Sequence, residues 1–136
     1  MGNFSSIDIS ASGLFAQRAR LDAIANNIAN ANTTRTAKGG PYRRQEVLLR
    51  AVSGDAGSGS GGVAVDKVVE STDPPKMVYE PGNPDADSAG YVAMPNVNPV
   101  QEMVDMITAT RAYEANIQAV NAARTMASKA LEIGKG

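Results

Sequence analysis

The stretch Leu21–Thr34, LDAIANNIANANTT, decides the fold of this chain, because apolar residues at helical spacing alternate there with asparagines. Asparagine is a mediocre helix former, yet four of the ten residues 25–34 are asparagine. Asn26 and Asn30 share one helix face, and their small alanine neighbours let backbones approach. We expect Asn26, Asn27 and Asn30 to bond across chains in a close-packed helix array and fix its register. The alternative is a fraying helix end whose carbonyls asparagine caps.

Upstream of this stretch, apolar residues recur every three or four positions and predict an amphipathic helix over residues 4–32. No glycine interrupts the chain between Leu14 and Lys38, and the first proline is Pro41. The helix would be about 40 Å long at the standard rise. Its seam consists of Phe4, Ile7, Ala11, Leu14, Leu21, Ala25 and Ile28, with Phe15 and Ile24 widening it and Arg18 in the one charged slot.

The C-terminal arm repeats this pattern and predicts a second amphipathic helix over residues 98–133. Asn98 followed by Pro99 is the favoured order for an N-cap and the first helical residue. Gly134 suits the far end as a stop. The seam consists of Met103, Met106, Tyr113, Ile117, Val120, Ala127 and Leu131, flanked by Val100, Val104 and Ile107.

The middle of the chain is different in kind, because all seven prolines lie between Pro41 and Pro99. Short β-branched or apolar runs at 46–52 and 62–69 predict a hairpin around a Gly/Ser loop at 53–62, and residues 76–79 predict a third strand. We therefore predict a mainly α fold with a small β insert (α+β), in which the terminal helices pair as a coiled-coil-like inner domain. The predicted boundaries are 1–38 for the first axial helix, 39–97 for the middle module and 98–136 for the second axial helix.

Composition excludes several classes of function. The 136 residues include 13 basic and 14 acidic side chains and no cysteine, histidine or tryptophan. A nucleic-acid partner is therefore not expected, and neither disulfides, thiolate nucleophiles nor histidine-containing metal sites can form. We expect no enzymatic activity, no cofactor and no metal. No apolar run approaches the length of a membrane span, and no conventional signal peptide is visible.

Four short motifs favour structural interpretations. Residues 57–62 spell G-x-G-x-x-G, but strand formers follow where a phosphate-binding turn would open a helix. Residues 85–90 resemble the start of a calcium loop without its later ligands, which indicates a polar turn. Glu102 and Asp105 lie in the first helical turns, where carboxylates stabilise a helix N-terminus. Arg43 and Arg44 are better suited to a partner carboxylate than to phosphate in this acidic protein.

Charge is segregated along the chain. Residues 1–50 carry seven basic and three acidic side chains, whereas residues 51–98 carry two and seven. Neighbouring copies could attract through these opposite patches, although a solvated surface is the plainer interpretation.

A different hypothesis for the function of the chain is an amphipathic-helix adaptor or membrane-associated assembly protein. Membrane-lying helices usually have a Lys-rich polar face, whereas asparagine, alanine, serine and mixed charge occupy the polar faces here.

Two stretches carry a resemblance to a known family. Residues 8–47, DISASGLFAQRARLDAIANNIANANTTRTAKGGPYRRQEV, resemble the N-terminal signature of the axial family of bacterial flagellar rod, hook and hook-associated proteins. Residues 94–135, MPNVNPVQEMVDMITATRAYEANIQAVNAARTMASKALEIGK, resemble the C-terminal part of its rod members. The segments 39–44 and 91–99 point more narrowly to a rod component, whereas residues 52–62 are weakly patterned.

The resemblance implies a structural subunit of the proximal rod, the drive shaft that crosses the periplasm and transmits torque. It implies export from the cytoplasm by the flagellar type III apparatus without a cleaved signal peptide. The implied partners are other copies of the chain, the proximal rod proteins FlgB and FlgF, the distal rod protein FlgG, and the junction protein FliE that leads to the MS ring.

The resemblance and the apolar seams together make the terminal helices the expected subunit interfaces. The same seams could instead pair only within one chain, and the sequence leaves both uses open. On the N-terminal helix the interface candidates are Phe4, Ile7, Leu14, Leu21, Ile24, Asn26, Asn27, Ile28 and Asn30. On the C-terminal helix they are Met103, Met106, Ile107, Tyr113, Ile117, Val120 and Leu131. Expected polar contacts come from Arg43, Arg44, Arg111 and Glu114.

Overall fold

The computed structural model describes residues 2–54 and 61–136, with side chains described from residue 6 onward. Among these residues, two long helices, α1 (Gly2–Ala29) and α2 (Pro99–Gly134), are the first and last elements, and four strands lie between them in the sequence. The strands are β1 (Gln45–Val52), β2 (Gly62–Glu70), β3 (Lys76–Tyr79) and β4 (Tyr91–Met94). The prediction of a mainly α fold with a small β insert is confirmed. The Gly/Ser motif at 57–62 falls largely outside the described residues, as does the Phe4 side chain.

Both helices end close to the predicted positions, for identifiable reasons. Asn98 caps α2 as predicted, because its side chain accepts hydrogen bonds from the backbone N–H groups of Val100 and Gln101 at 3.1 and 3.3 Å. Gly134 is the last helical residue, but its φ is not positive, so α2 does not end in the left-handed glycine cap that a glycine stop usually forms. α1 ends three residues earlier than predicted, where the Asn30 side chain donates to the Asn26 carbonyl at 2.9 Å.

α1 and α2 pack side by side in opposite directions. Asn27 near the end of α1 bonds to Glu102 near the start of α2, whereas Gly13 lies against Asn116, fourteen residues away along each helix. At position 13 a Cβ would lie 2.9 Å from both amide atoms of Asn116. The two helices of one chain therefore approach closely here, and glycine makes this possible. The close approach predicted between chains at the alanines beside Asn26 and Asn30 stays a prediction.

The seam between the helices differs in composition from the predicted one. Its most buried members on α2 are Glu102, Ala109 and Ala123, spaced at multiples of seven, instead of the larger residues of the predicted stripe. On α1 the buried residues are Ala16, Ala23, Ile24 and Asn27. Small side chains let the two backbones come close here. α2 is therefore turned so that several of its bulkier apolar residues face away from α1.

The predicted hairpin is confirmed and packs on α1. β1 and β2 are antiparallel, with Gln45 opposite Glu70 and Val52 opposite Gly62, and the register shifts between Leu48 and Leu49. The Ser12 hydroxyl on α1 accepts a hydrogen bond from the Val63 backbone N–H at 3.1 Å. A Cβ on Gly62, whose φ is +148°, would lie 2.6 Å from that hydroxyl oxygen, so the strand needs glycine where it meets the helix.

The predicted third strand also forms, but its partner was not predicted. β3 pairs antiparallel with β4, with Tyr79 opposite Tyr91, instead of extending the first hairpin. The connection turns through residues 80–90, where the Asp87 carboxylate accepts the backbone N–H groups of Ala89 and Tyr91 at 2.9 Å each. This local bonding confirms the polar turn predicted for residues 85–90.

The close approach at Gly13 gives a test of the helix packing. We expect Gly13→Leu to lower the free energy of unfolding by about 1–3 kcal/mol, because the added side chain must displace Asn116 in a packed seam. Denaturant unfolding followed by helical circular dichroism measures this change.

Gly82→Leu is the matched control, since no atom lies within 4 Å of the Cβ that would be added there. It should change stability by less than about 0.5 kcal/mol. Equal effects at positions 13 and 82 would contradict the close helix approach.

Candidate functional site

The Asn27 side chain is fully buried and uses all of its hydrogen-bonding capacity within the chain. Its amide nitrogen donates to the Gln45 carbonyl oxygen at 2.9 Å and to the Glu102 carboxylate at 3.1 Å. Its oxygen accepts the Gln45 backbone N–H at 2.8 Å and the Tyr42 hydroxyl at 2.9 Å. One side chain thus connects α1, the segment before β1, β1 itself and α2.

Glu102, which accepts a hydrogen bond from Asn27, is also buried, with only 1% of its surface exposed. Its other carboxylate oxygen binds Nε of Arg44, and Arg44 also pairs with Glu46 and lies 3.8 Å from Asp105. A buried carboxylate is costly unless it is paired and hydrogen-bonded. Both conditions are met, and no buried side-chain nitrogen or oxygen lacks a partner among the described residues.

Electrostatics of the cluster follow from this arrangement. Burial lowers the pKa of the Arg44 guanidinium, but its hydrogen bonds to Glu102 and Glu46 outweigh that effect and raise the pKa above its ordinary value. Burial raises the pKa of the Tyr42 hydroxyl, and the negative charges of Glu102 and Glu70 raise it further. The cluster therefore favours a protonated Tyr42 and a charged Arg44. We call Asn27, Tyr42, Arg44, Gln45 and Glu102 the polar cluster.

The polar cluster contains residues that the sequence identified and residues that it did not. Asn27 and Arg44 were interface candidates, and the structure assigns their contacts to partners within the chain. The interpretation of Arg44 as a ligand for a carboxylate agrees with its three acidic neighbours. Tyr42 and Gln45 were not predicted, because they meet Asn27 only when residues 15–18 positions apart are brought together by the fold.

The other N-terminal candidates occupy different environments. Ile24 is buried, Asn26 is exposed, and Asn30 accepts a hydrogen bond from the Thr33 hydroxyl at 3.1 Å. Phe15, which widened the predicted seam, is 76% exposed. A subunit-interface role for the accessible residues of this set stays a prediction. Four apolar candidates are half-buried, namely Ile7, Leu14, Leu21 and Ile28.

The C-terminal candidates divide between the two sides of α2. Met106, Tyr113 and Val120 are half-buried, on the side that carries the buried seam residues. The exposed candidates are Met103, Ile107, Ile117 and Leu131. Val100 and Val104 are also exposed and lie beside Met103 and Ile107. The four residues Val100, Met103, Val104 and Ile107 form a continuous apolar stripe, which we call the outer stripe of α2.

The opposite charges of the two halves of the chain are used within it. Lys38 pairs with Glu70 at 2.9 Å, and Arg50 lies 3.7 Å from Asp66. Arg35 pairs with Asp85, and the hydrogen bond from the Thr34 hydroxyl, at 2.7 Å, is the larger reason that the pKa of Asp85 is lowered. Arg43 donates to the Ser71 carbonyl at 3.3 Å. The contacts of Arg35, Lys38 and Arg43 hold the β hairpins against the segment that follows α1, whereas Arg50 and Asp66 join the two strands of the first hairpin.

Among the described residues, no group of three or more acidic side chains is placed to hold a metal ion. No described helix is both long enough and apolar enough to cross a membrane. What these residues do provide is a buried, fully hydrogen-bonded junction at one end of the helix pair and an exposed apolar stripe on α2.

Comparison with known proteins agrees with this architecture. The family described as flagella basal body rod protein matches residues 7–35, and the family described as flagellar basal body rod FlgEFG protein C-terminal matches residues 88–133. The flagellar basal-body rod protein FlgC of Borreliella burgdorferi is 45% identical to this chain, with 100% of both chains covered. FlgC of Bacillus subtilis is 44% identical over 99% of this chain and 100% of its own, and that of Salmonella typhimurium is 47% identical over 94% and 95%.

The chain belongs to the FlgC family of flagellar basal-body rod proteins. The resemblance of residues 8–47 and 94–135 to rod proteins is thereby confirmed. The two matching family models cover most of α1 and α2. In this FlgC-family chain the hydrogen bond between Asn27 and Glu102 therefore joins the two segments that the family models match.

The buried amide of Asn27 can be tested by changing its chemistry at constant size. Asn27→Asp removes the donor to Glu102 and places two carboxylates together, so we expect a loss of about 3–5 kcal/mol in the free energy of unfolding. Asn27→Ala, which leaves its partners unpaired, should cost about 1–3 kcal/mol.

Asn26→Asp is the matched control, because the neighbouring Asn26 side chain is exposed. Its effect on denaturant unfolding should stay within about 0.5 kcal/mol. An effect of Asn26→Asp as large as that of Asn27→Asp would refute a special role for position 27.

Tyr42 gives a test at alkaline pH. Because its pKa in the folded chain is raised, the stability that Tyr42 contributes is complete below its ordinary value of 10.0 and is lost as pH rises through the folded pKa. Tyr42→Phe should therefore make the free energy of unfolding fall less steeply above pH 10 than in the original chain. Parallel slopes for the two proteins in denaturant titrations would contradict the assignment.

Proposed function

We propose that this chain is a structural subunit of the proximal part of the flagellar rod and that it assembles through its two terminal helices. Membership of the FlgC family carries the coarser statement that the chain is a structural subunit of the flagellar basal-body rod. The exposed apolar residues of α1 and α2 support assembly through the helices, since four bulky residues of the outer stripe are 50–70% exposed.

The polar cluster supports a mechanical role in this assembly. A shaft transmits torque only if its subunits resist bending at their joints, and Asn27 ties the two helices and the first hairpin through four hydrogen bonds. A satisfied buried polar network also specifies one arrangement of the elements it connects. We assign the polar cluster the role of holding the helix pair and the hairpin as one unit under load.

The proposed partners follow from the family. They are other copies of this chain, FlgB and FlgF in the proximal rod, FlgG in the distal rod, and FliE, through which the rod meets the MS ring. The proposed location is the rod where it crosses the periplasm, reached through the flagellar type III export apparatus without a cleaved signal peptide. We assign the chain no catalytic activity, cofactor or nucleic-acid partner.

The interface candidates can be ordered by their exposure. Asn27 and Ile24 are buried within the chain, and we assign them to its internal packing. Half-buried Leu14, Leu21 and Tyr113 serve the pairing of α1 with α2 in this proposal. The residues accessible to a neighbouring subunit are Phe15 and Asn26 on α1 and Met103, Ile107, Arg111, Glu114, Ile117 and Leu131 on α2.

The function is tested in the bacterium that encodes the chain. Deleting the gene should abolish swimming, and an affinity-tagged copy should restore it and be recovered in purified basal bodies. A tagged copy that restores swimming while remaining absent from purified basal bodies would contradict the proposal, as would normal swimming of the deletion strain.

A single substitution tests assembly through the outer stripe. Ile107→Asp places a charge on the exposed side of α2, so the fold should survive while incorporation into basal bodies falls below about one tenth of the original level. Thr125→Asp, on the same exposed side further along α2, is the matched control and should incorporate normally. Circular dichroism checks that both variants keep their helices. Normal incorporation of the Ile107→Asp variant would remove the outer stripe from the interface.

A further inference from the structure

The outer edge of β1 is the side of this strand that does not face β2. At its first residue, Gln45, both the backbone N–H and the carbonyl point to Asn27 and away from β2. At the far end of the hairpin the N–H of Val63, which lies opposite Ala51, points away from β1 to the Ser12 hydroxyl. Gln45 and Ala51 therefore both belong to pairs whose backbone groups point out of the hairpin.

Two further residues of β1, Val47 and Leu49, share this orientation. They lie at alternate positions between Gln45 and Ala51, so their N–H and C=O groups also point outward. No hydrogen bond to these outward groups is present among the described residues. An unpaired strand edge is a template on which another strand can form, and β1 presents one.

α1 covers the edge of β1 only at the start of the strand. Asn27 meets β1 at Gln45, whereas Ser12, earlier in the helix, meets β2 at Val63, so α1 crosses the hairpin from one edge to the other. The edge of β2 is therefore bonded to α1, and it is also interrupted where Asp66 has no partner in the register. β1 is the strand of this hairpin whose edge is both regular and open.

A groove of about 360 Å³ lies beside the first half of β1. α1 forms its other wall through Arg20, Ala23 and Ile24. A strand that pairs with the edge of β1 would therefore place alternate side chains against a wall that is partly apolar and carries one arginine.

The arginine is the charge in this groove that lacks an opposite partner. Arg20 donates a hydrogen bond to Gln17 at 3.2 Å but forms no ion pair among the described residues. The two carboxylates that also line the groove belong to Glu46, which pairs with Arg44, and Asp105, which lies 3.8 Å from Arg44. The charge that complements the groove is therefore negative.

The hairpin surface next to the open edge is aliphatic. Val47 lies opposite Val68, and Leu49 lies opposite Val65, so these four side chains share one face. Leu49, Val65 and Val68 are 36, 39 and 53% exposed. A strand added to β1 would extend this face if its alternate residues were aliphatic, because cross-strand neighbours of this kind stabilise a sheet.

From the open edge, the groove and the unpaired arginine we infer that β1 is a strand-addition site. Its occupant is an extended segment of a different protein, with aliphatic side chains on one face and an acidic side chain on the other that pairs with Arg20. In this mode of recognition the backbone bonds supply affinity, and the pockets for alternate side chains supply specificity. The site lies in the β insert and goes beyond assembly through the terminal helices.

The charges of the chain's own strands argue against a second copy as the occupant. β3 and β4 contain no acidic residue. Each acidic residue of β1 and β2 already has a basic partner, namely Glu46 with Arg44, Asp66 with Arg50 and Glu70 with Lys38. None of the four described strands thus offers an unpaired carboxylate to Arg20.

A synthetic peptide tests the site on the full chain. The probe is a capped heptapeptide with valine at every odd position, glutamate at the centre and threonine at the other two positions. With saturating peptide, the amide hydrogens of Val47 and Leu49 should exchange at least about tenfold more slowly, because they gain hydrogen-bond acceptors. The amides of Leu48 and Arg50, which face β2, should change much less. Hydrogen exchange followed by NMR resolves these four amides.

Exchange of charges tests the contact with Arg20. Arg20→Glu should weaken binding of the fluorescently labelled peptide roughly tenfold, and replacing the central glutamate of the peptide by lysine should restore it. Arg18→Glu is the matched control, because Arg18 is an exposed arginine of the same helix outside the groove. It should leave the affinity for the original peptide within about twofold.

Two changes test the backbone pairing. Leu49→Pro removes an N–H that points away from β2, so the hairpin should persist while peptide binding weakens at least about tenfold. Circular dichroism checks the fold of this variant. The second change leaves the chain unaltered: N-methylation of the odd-numbered or of the even-numbered peptide residues should abolish binding in one of these two peptides only, because alternate N–H groups of a strand point to the same edge.

Unchanged exchange at Val47 and Leu49 with saturating peptide would overturn the inference, as would equal binding of the two N-methylated peptides. An equal effect of Arg18→Glu and Arg20→Glu would overturn the acidic contact. Protection of Val47 and Leu49 that rises with chain concentration in the absence of peptide would assign the edge to a second copy and overturn the choice of a different protein.

Discussion

The structure depends on one buried amide, that of Asn27, which meets groups from both helices and the first hairpin. Its two donors and two acceptor positions are all satisfied, by the Gln45 backbone, Tyr42 and Glu102. In the low dielectric of a buried site each of these bonds is strong, and each partner left unpaired would be costly. The position of α1 relative to α2, and of both relative to β1, is therefore set at this point.

The rest of the seam follows from that constraint. With Glu102 held at the start of α2, residues at multiples of seven from it, Ala109 and Ala123, also turn toward the other helix and are buried. Their small size brings the backbones close enough for Gly13 to lie against Asn116. The bulkier residues of α2 are then left outside, where they are available to other subunits.

Much of this fold could be predicted from the sequence. Helical spacing, the absence of breakers and the Asn98–Pro99 cap placed both helices to within three residues at each end. The first hairpin was also predictable, from its two β-branched or apolar runs, and so was the polar turn after β3, whose bonding is local. The side of α2 that faces α1 could not be predicted. Hydrophobic spacing favours burial of Met103 over burial of Glu102, and burial of Glu102 is favourable only because the distant Arg44 and Asn27 bind its carboxylate. The pairing of β3 with β4 was missed because no strand was predicted at residues 91–94.

The central claim is that the polar cluster couples α1, α2 and the first hairpin, and segment-resolved hydrogen exchange of the Asn27→Ala variant tests it most directly. In this variant amide protection should fall together in three segments: the last turns of α1, the first turns of α2 and β1. The exposed neighbour Asn26, changed to alanine, should leave β1 and α2 as protected as in the original chain. Loss of protection confined to the last turns of α1 in the Asn27→Ala variant would contradict the account.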